Sequence, residues 1–365
     1  MTNERDKEIL TQWFGLIDSA ESLDETGQSM NLTTKRVEQL RDRAISKLTS
    51  QNKQNDLIMA ITFNTLNPDA KIFQELKKNP YWWTRFKKDS SLYIEIRKDN
   101  QVNVYFEGGS VARIHYCSKH KKLQVFTHHK YLDLPAPSKS NAYIECSDII
   151  DKPIEKDSEI LICDKVIERV KTCYSQKHAI NGVVDKEKWS EKFIQGSLIT
   201  KSLAFHLDSE FAYNDASEKI RIDIVQCDNG VITFVELKRI GDGRMLHKTD
   251  ESPEIIDQMD RYKDFITKHT DELLTYYQKL YDVKAGLGLP VPQVRPISIN
   301  PEPHLLIFDN WTKETSRRKI HRERLVDILN RKHIMDKTPL VYLFERTDFN
   351  NVKELDCPLF PGLFD

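Results

Sequence analysis

The sequence predicts an α/β (α+β) chain: a mixed sheet flanked by helices, preceded by a smaller α+β region with an antiparallel meander. Three observations lead there. Apolar and polar residues alternate in short runs over 92–114. From about 187 the patterns follow the order α-β-β-β-α-β-α-β. The dipeptide Asn229-Gly230 separates two strand-like runs.

Taken in order, residues 1–55 read as helices, with Val37, Leu40, Ala44, Ile45 and Leu48 at helical spacing after the capping pair Thr33-Thr34. The segment 77–88 is basic and aromatic. Its Tyr81, Trp82, Trp83 and Phe86 either stack on unpaired bases beside phosphate-binding lysines or pack a core beneath solvated ones. Leu92–Ile96, Val102–Phe106 and Val111–Ile114 form the meander, punctuated by Asp99-Asn100 and Gly108-Gly109. The Pro- and Ser-rich stretch 134–141 reads as a linker, and 159–175 as a helix leading onward.

Further on, Glu187–His206 is helical, Phe211–Tyr213, Ile220–Val225 and Val231–Leu237 are strands, and Ile255–Tyr281 is one long helix. Leu305–Phe308 and Leu340–Phe344 are strands around a basic helix near 313–331. The expected organisation is an N-terminal α+β domain over 1–135, a linker and connecting helix over 136–180, and a second domain over 181–365.

Composition narrows the classes. The 365 residues carry 55 Lys and Arg against 56 Asp and Glu, and 39% are apolar. Such a chain buries a full core and is neither disordered nor globally basic, so any nucleic-acid site is a local patch. No apolar run approaches the roughly 20 residues of a membrane span, and the N-terminus has no apolar leader. The six cysteines contain no CxxC pair, which points to a reduced, cytoplasmic setting. His115, Cys117, His120, His128 and His129 match no common zinc spacing, and strand packing accounts for them better. Neither a phosphate-binding glycine loop nor a GxSxG nucleophile motif occurs.

The informative segment is Arg221–Lys238. Asn-Gly is a strong two-residue hairpin signal, because both central residues of a type I′ turn need positive φ. Pairing outward from it sets Asp228 opposite Val231, Val225 opposite Phe234 and Asp223 opposite Glu236. The two carboxylates then share a face about 5 Å apart, and Lys238, two residues past Glu236, joins them. Ile222, Ile224, Val235 and Leu237 line one side of the hairpin, and Val225, Ile232 and Phe234 the other, as in strands covered on both faces. Facing acids in such surroundings repel and lose solvation. A divalent cation offsets both costs, and carboxylate oxygens are natural ligands for Mg²⁺. The plainer alternative is a cross-strand ion pair of Asp223 with Lys238 that leaves Glu236 in water. Glu191 on the preceding helix, and Gln258 with Tyr262 one helical turn apart after the hairpin, weigh toward the metal.

With these residues, the stretch 187–345 resembles the PD-(D/E)XK nuclease superfamily, in particular its branch carrying a QxxxY helix. The resemblance implies a restriction-endonuclease-like fold. It further implies Mg²⁺- or Mn²⁺-dependent hydrolysis of DNA phosphodiester bonds, most simply by an endonuclease of restriction, phage defence or repair. Asp223, Glu236 and Lys238 match the motif residues and Gln258 and Tyr262 the QxxxY pair, all five being the implied catalytic set. Asp223 and Glu236, with Glu191 as the helix acid, are the implied metal ligands. Ile222 stands where the motif has proline, and Glu187 and Glu210 compete with Glu191 for the helix acid. Arg239 and Arg244, in the loop after the hairpin, are the expected substrate contacts. DNA is the expected partner, with a homodimer compatible and no membrane. An RNA or branched-DNA nuclease, and a non-catalytic nucleic-acid-binding or assembly protein of the same fold, are the alternatives.

Overall fold

The computed structural model describes residues 66–138, 142–155, 160–177, 179–180, 183–184, 186–214, 219–245, 254–311, 313, 315–321, 324, 341–345 and 353–355, together with Thr33. The backbone divides into two compact units, Met1–Thr62 and Phe63–Asp365. The helices expected over 1–55, and the part of the basic helix beyond 324, lie outside the described residues; 316–321 is helical.

In the second unit, α1 (Lys71–Leu76) and α2 (Tyr81–Lys88) precede an antiparallel sheet. Its strands β1 (Leu92–Ile96), β2 (Val102–Phe106), β3 (Gly109–Cys117), β4 (Lys122–His128) and β5 (Tyr143–Glu145) lie in sequence order. This is the expected three-stranded meander extended by two strands, β4 and, beyond the Pro-rich stretch, β5. Asp99 and Asn100 both take φ near 60°, and Glu107 and Gly108 also take positive φ, so the residues read as turns make the turns.

Alternation gives the sheet two faces. Leu92, Ile96, Val102, Val104 and Phe106 are buried, in one core with residues of α1, α2 and α3 (Ile162–Lys177). In α2, Trp82, Trp83 and Phe86 belong to that core, and Trp82 makes edge contacts with both neighbours. Those three therefore have no faces to offer a base, while Tyr81 at the start of the helix is half exposed; the basic side chains of 77–88 flank a packed helix. The opposite face is polar. Tyr93 pairs with Tyr105, Glu95 with Asn103, and Asn103 with Arg113 across the strands.

The remaining chain builds a mixed sheet. After the short hairpin β6 (Ala179–Ile180) and β7 (Val183–Val184) comes α4 (Glu191–Lys201), then β8 (His206–Asn214), β9 (Lys219–Asp228) and β10 (Val231–Arg239). Next come α5 (Glu254–Lys268), α6 (Thr270–Gly286), β11 (Ser298–Ile299), β12 (His304–Phe308), β13 (Val341–Glu345) and β14 (Lys353–Leu355). The strand order is β14-β13-β12-β10-β9-β8, with β11 beside the start of β10. β8–β9–β10 and β13–β14 are antiparallel, whereas β10–β12–β13 are parallel. Among the described residues no helix is long and apolar enough to cross a membrane.

Helices cover both faces of this sheet. Ile224, Val235, Leu237, Leu306 and Phe308 pack with Trp189, Phe193, Ile194 and Leu198 on the α4 side. Val225, Ile232, Phe234, Leu305 and Ile307 join the core that contains α5 and α6. Ile222, expected with the first set, belongs to the second. The long helix expected over 255–281 is two: a break at His269 (φ −114°, ψ 21°) ends α5, and Asp271 and Glu272 open the first turn of α6. The break lets both helices bury one face, with Phe265 and Tyr277 each making a tilted ring contact with Phe211.

Where the polar face of the meander meets β8 and α6, a buried ionic cluster joins the two sheets. Glu95, fully buried, accepts hydrogen bonds from His206 Nε2 (2.6 Å), Ser209 Oγ (2.9 Å) and Lys284 Nζ (2.9 Å). Arg97 donates to the Ser209 backbone oxygen and lies 3.3 Å from Asp208 Oδ1. Burial alone raises a carboxyl pKa, but Lys284 and His206 outweigh it at Glu95 and hold that group below the usual range. Asp208, with burial and the Glu95 charge against it, is pushed up to about 7.

Removing one member leaves buried charge without compensation. Glu95→Gln is expected to lower stability by about 3–5 kcal/mol, read as a shift in the urea midpoint by tryptophan fluorescence. A loss within about 0.5 kcal/mol, the range of an ordinary surface substitution, would show that the cluster does not hold the sheets together.

Candidate active site

The hairpin closes as its residues dictate. Asn229 (φ 48°) and Gly230 (φ 82°) form the turn, and any Cβ at Gly230 would lie 2.8 Å from Ile297 Cγ1. The ladder then runs through Val231–Asp228 and Phe234–Val225 to Val235–Ile224, the expected register. The next pair outward is Asp223 and Glu236, and there the backbone pairing stops. Asp223 Oδ2 instead accepts the Leu237 amide (3.0 Å), while Gln195 Nε2 donates to the Asp223 carbonyl (2.5 Å). Beyond that point β9 continues beside β8, and β10 continues beside β12 over Val235–Arg239. The site lies where the two strands part.

Three charged side chains meet in this gap. Lys238 Nζ donates to Glu236 Oε1 and to the Leu237 carbonyl (2.8 Å), and stands 3.7 Å from Asp223 Oδ2. Glu236 and Lys238 are 2% and 1% exposed, so the arrangement with Glu236 in water is not the one formed. Gln258 Nε2 donates to Glu236 Oε1 (2.7 Å) and to Tyr262 Oη (2.6 Å), and Tyr262 donates to the Arg221 carbonyl. The QxxxY pair thus braces Glu236 and β9 from the α5 side. Glu236 Oε2 is buried without a hydrogen-bond partner.

These groups border a pocket of about 310 Å³ whose wall also includes Glu191, Lys192, Gln195, Glu210, Arg221 and Arg244. Helix α4 delivers Glu191 and Gln195 one turn apart, after Ser190 caps it by accepting the Phe193 amide (3.2 Å). Of the competing acids, Glu187 lies elsewhere, in an ion pair with Arg318 (2.7 Å). Glu210 stands between two exposed cations, 3.2 Å from Lys192 and from Arg221. Arg244, steadied by Asp242 (2.9 Å), reaches Gln258 Oε1 at 3.5 Å. Arg239, expected at the substrate, instead donates to the Trp189 carbonyl (3.2 Å) and is not part of the pocket wall. Alternation is the reason: as the next residue along β10, Arg239 points away from Lys238.

Lys192 and Arg221 carried a weaker signal. Arg221 precedes Asp223 by two residues and so shares its face, and Lys192 adjoins Glu191.

Electrostatics mark the site as costly. Burial first, and then the Asp223 charge, push the Glu236 carboxyl up to about 7 despite Lys238. Burial likewise raises Glu191, with Lys238 opposing. Among the described residues no three His, Cys, Asp or Glu side chains gather as a ready-made metal cage. The donors do suit a hard divalent cation: they are carboxylate oxygens, and one is an orphan. Asp223 and Glu236, with Glu191 on the same wall, are the residues that would hold it. No family model matches the chain, and no curated protein or solved structure matches it either.

The raised carboxyl has a thermodynamic consequence. The folded protein keeps the Glu236 proton up to about pH 7, whereas the unfolded chain releases it near 4.5. The stability this group contributes is therefore full below 4.5 and is lost as pH rises to about 7. In EDTA, Glu236→Gln is expected to melt about 2–4 °C above the native protein at pH 8, the effect of about 1 kcal/mol. That advantage should vanish at pH 4.5. An equal difference at both values would show that Glu236 is not protonated in the fold.

Proposed function

We propose that the chain is a nuclease with a restriction-endonuclease-like core, hydrolysing phosphodiester bonds in DNA with Mg²⁺ or Mn²⁺. One observation carries this reading: Asp223, Glu236 and Lys238 converge where β9 and β10 part, with a buried Glu236 oxygen left without a partner. Asp223 and Glu236, with Glu191, would hold the cation. When bound, the ion supplies positive charge at the phosphoryl group and acidity to water.

The chain's own groups do the remainder. Lys238, held by Glu236 and the Leu237 carbonyl, presents a preorganised ammonium to the charge that develops on phosphate oxygens. Gln258 fixes Glu236 by the bond to Oε1, and Tyr262 ties α5 to β9 through the Arg221 carbonyl. Gln195 fixes Asp223 through its carbonyl. Lys192 and Arg221, exposed at the mouth, are placed for flanking phosphates. A second reading, a nucleic-acid-binding or assembly protein without catalysis, draws support from the Lys238 ammonium, which already occupies Glu236 Oε1.

Cleavage separates the two. The full chain should nick plasmid DNA with Mg²⁺ or Mn²⁺. Asp223→Ala and Lys238→Ala should each lose about 100-fold or more with circular dichroism unchanged. Gln258→Ala, which acts through Glu236, should lose about 10–100-fold. Cleavage of RNA alone would move the substrate to RNA. Equal activity in all variants would refute the site, and binding without cleavage would favour the second reading.

A further inference from the structure

A second depression adjoins the catalytic pocket. It has a volume of about 280 Å³ and shares Lys192, Gln195 and Glu210 with the first, so the cleft and the pocket adjoin. Its other wall is the polar face of the N-terminal sheet. Packing fixes that sheet against the catalytic helix: a Cβ on Gly108, in the β2–β3 turn, would collide with the Lys192 backbone, and one on Gly196 with Gly108 and Glu107. Glu95 and its cluster secure the same sheet to β8 and α6.

We propose that this cleft is the path by which a nucleic-acid strand leaves the catalytic pocket, held by its phosphates against the N-terminal sheet. The inference rests on the nuclease reading for the identity of the polyanion. Three observations support it. First, the wall carries two exposed cations, Arg113 and Lys192, against the carboxylate of Glu210 that pairs with Lys192 (3.2 Å), while Arg97 is compensated by Asp208 in the buried cluster. Arg113 and Lys192 are exposed, on opposite sides of the cleft.

Second, two polar atoms of wall residues, Asn103 Oδ1 and Ser110 Oγ, are buried without a hydrogen-bond partner. Of the two, Ser110 Oγ–H is a donor that a phosphate oxygen of the strand would satisfy. Third, the aromatic surface here is already engaged. Tyr105 stacks on Tyr93 (5.2 Å, 18°) with the Arg97 guanidinium over its ring (5.3 Å). Base stacking is thereby excluded as the main contact, and recognition falls on the sugar-phosphate backbone. The cleft accordingly holds any sequence and depends on salt.

The test is binding without catalysis. Fluorescein-labelled DNA oligonucleotides are titrated with the 365-residue chain in EDTA, followed by anisotropy at several salt concentrations. Arg113→Glu and, on the other wall, Lys192→Glu should each weaken binding about tenfold or more, with the slope of log K against log salt reduced by about 1. Two oligonucleotides of equal length and unrelated sequence should bind alike. Lys122→Glu, on the far end of the N-terminal sheet and paired with Asp148, is the control that should bind as the native protein does.

Binding unchanged in both cleft variants overturns the cleft and leaves the nuclease reading standing. Loss of binding in them, together with undiminished cleavage by Asp223→Ala, keeps the cleft and overturns the catalytic site. A native protein that binds no oligonucleotide overturns both.

Discussion

The site depends on the place where the β9–β10 ladder ends. Up to Val235–Ile224 the strands pair through their backbones, and one residue later the Asp223 carboxylate takes the Leu237 amide in place of a backbone carbonyl. That exchange satisfies a buried donor while letting β9 turn away with β8 and β10 remain with β12. The gap so opened holds Glu236 and Lys238 out of solvent but within reach of Asp223. Without the parting of the strands, the two acids would be an ordinary cross-strand pair in a closed sheet.

Holding this gap costs stability, and the surrounding structure offsets it. Glu236 sits at 2% exposure with an oxygen unsatisfied, and its carboxyl is driven toward neutrality. On one face, Trp189, Phe193 and Leu198 pack on Val235 and Leu237; on the other, α5 and α6 cover Phe234. Local strain of this kind persists where the scaffold around it is rigid. The N-terminal sheet extends the scaffold. Its apolar face builds its own core, and its polar face carries both the buried Glu95 cluster and the wall of the cleft.

Much of the site was legible before the fold was known, because short-range rules govern it. Asn229-Gly230 permits one turn geometry, the turn sets the register, and a period of two places Lys238 with Glu236. Helical spacing likewise placed Gln258 with Tyr262, although their contacts run to Glu236 and Arg221 rather than outward. What was not legible is long-range. Nothing local pairs Glu95 with Lys284 across 189 positions, or sets Arg239 against the Trp189 carbonyl. The break at His269 depends on which core each helix covers, and periodicity alone read straight through it. In 77–88, Trp82, Trp83 and Phe86 fitted a stacking surface and a core equally well by composition; packing on the meander decided for the core.

The central claim is that Asp223 and Glu236 form a divalent-cation site at the parted strands. Calorimetric titration of Mn²⁺ into the metal-free protein at pH 8 addresses it without reference to any substrate. The account predicts saturable binding by the native chain that is lost in Asp223→Asn and in Glu236→Gln. Binding of the same affinity and stoichiometry in all three proteins would contradict it.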